Sequence, residues 1–223
     1  MGFDIAYMIE VLSVITKYVP MTLGIALASM FFAIVIGLVM SLIKNGEIFI
    51  LDKLVVVYVS FFRSIPTVVL LFLIYYGLPQ LFPYFTRMDA LTAAIIGLSL
   101  KEAAYLAEIF RAGLNSVDRG QLEACYGVGI TKFNAYKRII IPQATVNALP
   151  GMSNIFISLL KETSLAFTLG LADLFAHGKM MAAESLKFLE AYLAVALIFW
   201  VLVIAFSWGQ QVLENKLSLP YQR

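Results

Sequence analysis

The sequence of 223 residues has one cysteine, Cys125, and one histidine, His177. A single cysteine excludes an internal disulfide, and with a single histidine it leaves too few ligands for a His/Cys metal site. Charge is scarce as well. Only 13% of residues are Asp, Glu, Lys or Arg, against about a quarter in soluble domains. The net charge of +2, carried by scattered basic residues, excludes a nucleic-acid surface. No G-x-x-x-x-G-K-[ST], H-E-x-x-H or G-x-S-x-G occurs, so the chain holds no phosphate loop and no zinc-protease or serine-hydrolase motif. It reads as a protein that is not an enzyme. The opening residues mix Asp4, Glu10 and Lys17 with apolar ones, which is not the pattern of a cleavable signal.

What is present is apolar length. Hydrophobic residues make up 61% of the chain, with a mean hydropathy of +0.90. A helix crossing a ~30 Å hydrocarbon layer needs about 20 mostly apolar residues. Five segments qualify, at 18–43, 64–86, about 91–111, about 150–172 and 191–213. The fourth is expected to start at Pro150-Gly151. The runs are continuous and do not alternate with period two, so helices are expected rather than a barrel. The fold class is an all-α membrane protein with about five transmembrane helices.

Ten of the sixteen lysines and arginines fall in segments 44–63, 111–142 and 214–223. Positive residues stay on the cytoplasmic side, which places the N-terminus outside and the C-terminus inside. The expected organisation is an extracytoplasmic N-terminal segment at 1–18, a transmembrane domain at 19–217 and a cytoplasmic tail at 218–223. Arg63 reads as an anchor at the cytoplasmic face, and His177 as a solvated loop residue outside.

The polar, glycine-punctuated stretch 118–142 lies between the third and fourth spans. Asp118 and Gln121 have capping-box spacing, Gly127 and Gly129 can end a helix, and Thr131 can cap a second one. Phe133, Tyr136 and Ile140 form an apolar stripe on that second helix, which Pro142 is expected to stop. Two short amphipathic helices of this kind suit either an anionic lipid surface or a partner's groove.

The same residues carry a resemblance. Glu123-Ala124-Cys125, then Gly129, Ile139 and Ile141-Pro142, resemble the EAA loop of ATP-binding-cassette importer membrane subunits, E-A-A-x3-G-x9-I-x-L-P. Cys125 replaces the third alanine and Ile141 the leucine. SFFRSIP at 60–66, IYYGLP at 74–79, AAYLAEIFRAGLNSV at 103–117 and LLKETSL at 159–165 resemble permeases of the polar amino-acid uptake family, the histidine, glutamine and cystine type. The resemblance spans about residues 20–216. It implies a bacterial inner-membrane permease whose cytoplasmic EAA loop supplies a coupling helix to a separate ATPase subunit. Coupling is then expected at Glu123, Ala124, Gly129, Phe133 and Pro142. The implied partners are that ATPase, a second permease copy (identical or related) and an extracytoplasmic solute-binding protein. ATP and Mg belong to the ATPase, and this chain is expected to bind no cofactor.

Lys101, Glu102, Lys161 and Glu162 fall near the centres of the third and fourth spans. An ionisable group there costs about 2.5–3.5 kcal/mol on insertion scales and marks a substrate or ion path by default. Ser99, Glu102 and Tyr105 share one broad face of the third span, and Asn154, Ser158 and Lys161 share a narrower face of the fourth, followed by Glu162 and Thr163. If these stripes face each other they form a mixed-charge cavity suited to a zwitterionic amino acid. The alternative is structural pairing, Lys101 with Glu162 or Lys161 with Glu102. The expected function is the permease subunit of an ATP-driven amino-acid importer, with a polar or sulfur amino acid such as cystine as substrate. The alternative is a stand-alone secondary carrier or channel using the midplane carboxylates for protons.

Overall fold

The structure, a computed structural model, describes residues 2–45 and 49–218. The expected tail at 218–223 therefore lies outside the described residues, apart from Ser218. Among those residues every regular element is helical. Helix α1 (Ile5–Ile15) passes through a 3-10 turn into α2 (Val19–Asn45), and together they make a 40-residue apolar stretch, Ile5–Lys44. At 1.5 Å per residue this is ~60 Å long, about twice the hydrocarbon thickness, so it tilts or projects beyond the layer.

Helix α3 (Phe49–Ser64) occupies the segment read as a cytoplasmic connection. Asp52, Lys53 and Arg63 interrupt its hydropathy, but its exposed face is apolar. Ile50, Leu54, Val57 and Phe61 recur along it at helical spacing and lie open on the surface. The chain then turns at Ile65-Pro66 and continues as α4 (Thr67–Phe72), a π turn (Leu73–Gly77) and α5 (Leu78–Leu81). The two arms meet at 111°. Pro66, with an extended ψ of 136°, breaks the helix there, and only the two arms together are long and apolar enough for a membrane span.

Helix α6 (Ala90–Asn115) is capped by Asp89, which accepts from the Thr92 N–H at 2.8 Å. It is the centre of the molecule. Its buried residues are mostly small, including Ala93, Ala94, Gly97, Ala103, Ala104, Ala107 and Gly113, and α2, α3, α4 and α9 all pack on them. At Gly113 a Cβ atom would lie 2.7 Å from the Ala144 carbonyl oxygen, so glycine is what allows the close crossing of α6 and α9.

Beyond α6 come α7 (Arg119–Gly127) and α8 (Lys132–Ala135), a second π turn (Tyr136–Ile140) and α9 (Ile141–Glu162). Two expectations are corrected here. Pro142 does not stop a helix; it stands in the first turn of α9. Nor does the fourth span begin at Pro150, which lies inside α9. A proline ring clashes with the carbonyl four residues back, and the wider π turn shifts the pairing to five residues, the Ile141 N–H donating to the Tyr136 carbonyl. The chain then continues through a 3-10 stretch (Thr163–Leu169) to α10 (Leu174–Ser185), bent by 58°, and ends in α11 (Phe188–Ser218). A second apolar cluster joins Val11 and Ile15 of α1 to Leu174 and Ala182 of α10 and Ala191, Ala194 and Val195 of α11. His177 belongs to this unit, stacked on Tyr18 with ring centroids 3.4 Å apart, and is not a solvated loop residue.

Candidate functional site

The central charges converge on α6. Lys101 Nζ lies 2.5 Å from Glu162 Oε1 and 3.7 Å from Glu102 Oε1. The other oxygen of Glu162 accepts from the Thr67 hydroxyl at 3.2 Å. One ammonium thus serves two carboxylates and ties the first turn of α4, the middle of α6 and the end of α9 together. Of the two pairings expected as alternatives, Lys101–Glu162 forms and Lys161–Glu102 does not. Thr67 was not anticipated, since nothing in the sequence pattern links a hydroxyl in the second span to a carboxylate in the fourth.

The two stripes do not close on each other within one chain. Glu102 is 2% exposed and Thr163 is fully buried, its hydroxyl donating to the Leu160 carbonyl. Ser99 is buried too, and donates to the Ile95 carbonyl beside Phe32 and Ile36 of α2. By contrast Asn154 and Lys161 are exposed, and Tyr105, Ser158 and Glu162 are half-buried. The site therefore has an inner part, Lys101–Glu102–Glu162–Thr67, and an open face carrying Asn154, Ser158, Lys161 and Tyr105. Arg63 joins this face. Its guanidinium lies 5.1 Å from the centroid of the Tyr105 ring, and Lys101 Nζ lies 5.9 Å from the same ring. Arg63 thus stands at the α3–α4 corner beside the middle of α6.

Cavity volume points elsewhere. A groove of about 710 Å³ between α2, α9 and α11 is lined by residues such as Leu23, Phe31, Met152, Phe156, Phe206 and Leu213. It contains no charged side chain, so it does not suit a zwitterion. The charged face, not this apolar groove, is the candidate path.

Loop 116–131 forms a second candidate site. The Asp118 carboxylate caps α7 by accepting from the Gly120 N–H at 2.6 Å. Gln121 does not complete a capping box; its side-chain oxygen accepts from Gln143 at 2.8 Å, linking α7 to α9. Helix α7 ends where the Ile130 N–H donates to the Cys125 carbonyl at 2.9 Å and the Gly129 N–H to the Tyr126 carbonyl at 3.0 Å. This is a Schellman arrangement, and it needs Gly129 at φ +77°. Thr131 stands at the start of α8 without a capping bond. Val117, Ile140 and Ala144 pack beneath, with Leu122, Tyr136 and Ile139 against them. Cys125 is buried, while Glu123, Ala124, Tyr126, Val128 and Phe133 face outward. Val128 and Phe133 are 75% and 72% exposed, an unusual display for apolar side chains on a rigid turn. Nearby, Glu108 accepts from Lys44 at 2.9 Å and from Arg111 at 2.7 Å, which ties α6 to α2.

Comparison with known proteins agrees with these features. Residues 33–219 match the family described as binding-protein-dependent transport system inner membrane component. The chain is 59% identical over 98% of its length to "Probable amino-acid permease protein YxeN" of Bacillus subtilis (strain 168), covering 98% of that protein. It is 39% identical to the L-cystine transport system permease protein TcyL of the same organism, over 97% of this chain and 92% of that one. Among solved structures, an amino acid ABC transporter crystallised with histidines superposes with a TM-score of 0.87 at 32% identity, over 97% of this chain and 100% of that one. The motif resemblance and the helical architecture lead to one family, and the chain belongs to the inner-membrane permease components of binding-protein-dependent ABC transport systems.

Proposed function

We propose that this chain is the permease subunit of an ATP-driven amino-acid importer, with the open face around Glu162 lining the translocation path. The observation that carries the reading is the charged cluster at the middle of α6 beside exposed Lys161 and Asn154. A lysine cannot face lipid at that depth without a cost of about 2.5–3.5 kcal/mol. The face is therefore covered by a second permease copy and carries water and substrate between the two. In this arrangement Asn154, Ser158, Lys161, Glu162 and Tyr105 line the path. Lys101, Glu102, Ser99 and Thr163 hold its wall from behind.

The loop is the coupling element. Glu123, Ala124, Gly129, Phe133 and Pro142 present a rigid, partly apolar surface to the ATPase subunit, which carries ATP and Mg. In this orientation the loop and the C-terminus are cytoplasmic, and the N-terminus faces the solute-binding protein outside. Relatives named for amino acids support the substrate class, and the similarity to a cystine permease supports a sulfur amino acid such as cystine.

Substituting Gly129→Val tests the coupling surface, since φ +77° is strained for a β-branched residue. Co-purification of the ATPase with the permease is expected to fall by about tenfold or more, as loss of about 1.4 kcal/mol would produce. Undiminished co-purification would remove the loop from the interface.

A further inference from the structure

The charges at the middle of the molecule do not balance. Arg63, Lys101 and Lys161 bring three cations, against the carboxylates of Glu102 and Glu162. Both carboxylates are within 4 Å of Lys101. Glu162 is also bonded to Thr67, and the same ammonium that ties it down leaves Lys101 unavailable to a ligand. Arg63 and Lys161 are exposed, and among the described residues neither forms an ion pair. The only partner of Arg63 is the Tyr105 ring, 5.1 Å away, which fixes the position of the guanidinium without neutralising it.

Position makes this imbalance informative. Tyr105 lies one turn beyond Lys101 on α6, and Thr67, one turn past Arg63, reaches Glu162. The α3–α4 corner thus delivers Arg63 to the charged cluster. A guanidinium on the open side of that cluster, beside a ring and lacking an anion among the described residues, is a ready receptor for a planar carboxylate, which it can bind through two parallel N–H···O bonds.

We propose that Arg63 is a specificity-determining residue, binding the α-carboxylate of the transported amino acid. The assignment rests on the amino-acid transport reading above and goes beyond it in naming which cation the substrate engages. Lys101 is excluded by its own pairing. Lys161 contributes positive potential, but a point charge lacks the bidentate geometry. Tyr105 acts on Arg63 as a positioning residue.

The test uses proteoliposomes containing the full permease with its ATPase, supplied with the binding protein. Wild-type uptake is first measured for the radiolabelled proteinogenic amino acids and L-cystine, and the best-transported one is carried forward. Arg63→Met is expected to lower its uptake by about tenfold or more, the scale of a lost charge-assisted hydrogen bond. Co-purification of the ATPase subunit with this variant reports whether the complex has assembled. Arg63→Lys keeps the charge and loses the fork, so apparent KM rises with kcat unchanged. In Arg63→Cys, a thiol reagent that attaches an ammonium restores uptake, and one that attaches a sulfonate does not. Wild-type KM in Arg63→Lys together with wild-type uptake in Arg63→Met would overturn the assignment, as would equal rescue by the sulfonate. Where Arg63→Met fails to assemble, the KM of Arg63→Lys gives the answer alone. If the wild type itself moves no amino acid, the transport reading falls, and this assignment falls with it.

Discussion

Lys101 is the residue on which two carboxylates depend, half-buried Glu162 2.5 Å and buried Glu102 3.7 Å from its ammonium. Removing one partner of a buried pair leaves uncompensated charge, which costs about 3–5 kcal/mol. Lys101→Met is therefore expected to lower the thermal midpoint of the detergent-purified chain sharply. Glu162→Gln keeps hydrogen-bonding capacity towards Thr67 and should cost less, about 1–3 kcal/mol. Equal midpoints for both variants and wild type would show that the cluster is hydrated and not structural. At the other end of the molecule, a hydrogen bond from Lys187 at 2.7 Å holds the Asp4 carboxyl below its usual 3.8, and the Tyr7 N–H adds to the effect. Because the folded value lies below the unfolded one, this tie is complete above pH 3.8 and is lost as pH falls through the folded value. Both side chains are solvent-accessible, so the effect is local. Protection of the Tyr7 amide, taken relative to the intrinsic exchange rate at each pH, should fall on acidification in the wild type and be flat across that window in Asp4→Asn. Of these residue-level features, the existence of central charges was legible in the sequence. Which of them pair was not, because the choice between Glu102 and Glu162 depends on where the α3–α4 corner places Thr67.

At the scale of elements, the two π turns stand in the same place. Each covers five residues, 73–77 and 136–140, and each ends one residue before an aliphatic-proline step, Leu78-Pro79 and Ile141-Pro142. In both, the next N–H donates five residues back, Leu78 to Leu73 and Ile141 to Tyr136. A π turn contains one residue more than the α-helix around it needs, and proline makes the α alternative unfavourable. This is why Pro142 misleads a sequence reading. It signals a break by itself, whereas the preceding wide turn absorbs the clash and carries the helix on. The α7–α8 loop and α9 are thereby one rigid run, suited to passing motion from Glu123 towards Glu162. Deleting exposed Arg138 should convert the second turn to α-helix, which brings the Pro142 ring against the carbonyl four residues back and kinks the start of α9. Uptake is then expected to be lost, with Arg138→Ala within about twofold of wild type; uptake retained in the deletion would show that the register there is not used. Long elements such as α2, α6 and α11 were legible because their apolar runs exceed the layer thickness. Helix α3 was not, since Asp52, Lys53 and Arg63 break its hydropathy while its apolar stripe shows only at helical spacing.

At the scale of the whole molecule, α6 joins two sites that share no side chain. Its middle holds Lys101 and Glu102, and its end leads through Ser116 to the coupling loop, tied to α9 where the Asn147 amide donates to the Ser116 hydroxyl at 2.7 Å. Small residues along α6 let α2 and α9 approach closely, so a tilt imposed at the loop is carried to the middle of the bundle as a rigid-body movement. The chain itself carries no nucleotide motif, and in the proposed function energy enters through that loop. Family membership was legible from the EAA spacing over residues 123–142. Substrate identity was not, because the side chains of the candidate path come from separate elements whose juxtaposition no sequence spacing fixes. The most direct measurement is uptake of labelled amino acid into proteoliposomes holding the permease and binding protein, with and without the ATPase subunit and ATP. Uptake that requires both ATPase and ATP is expected. Uptake at the same rate without them, driven by an imposed proton gradient, would contradict the importer reading and make the chain a secondary carrier.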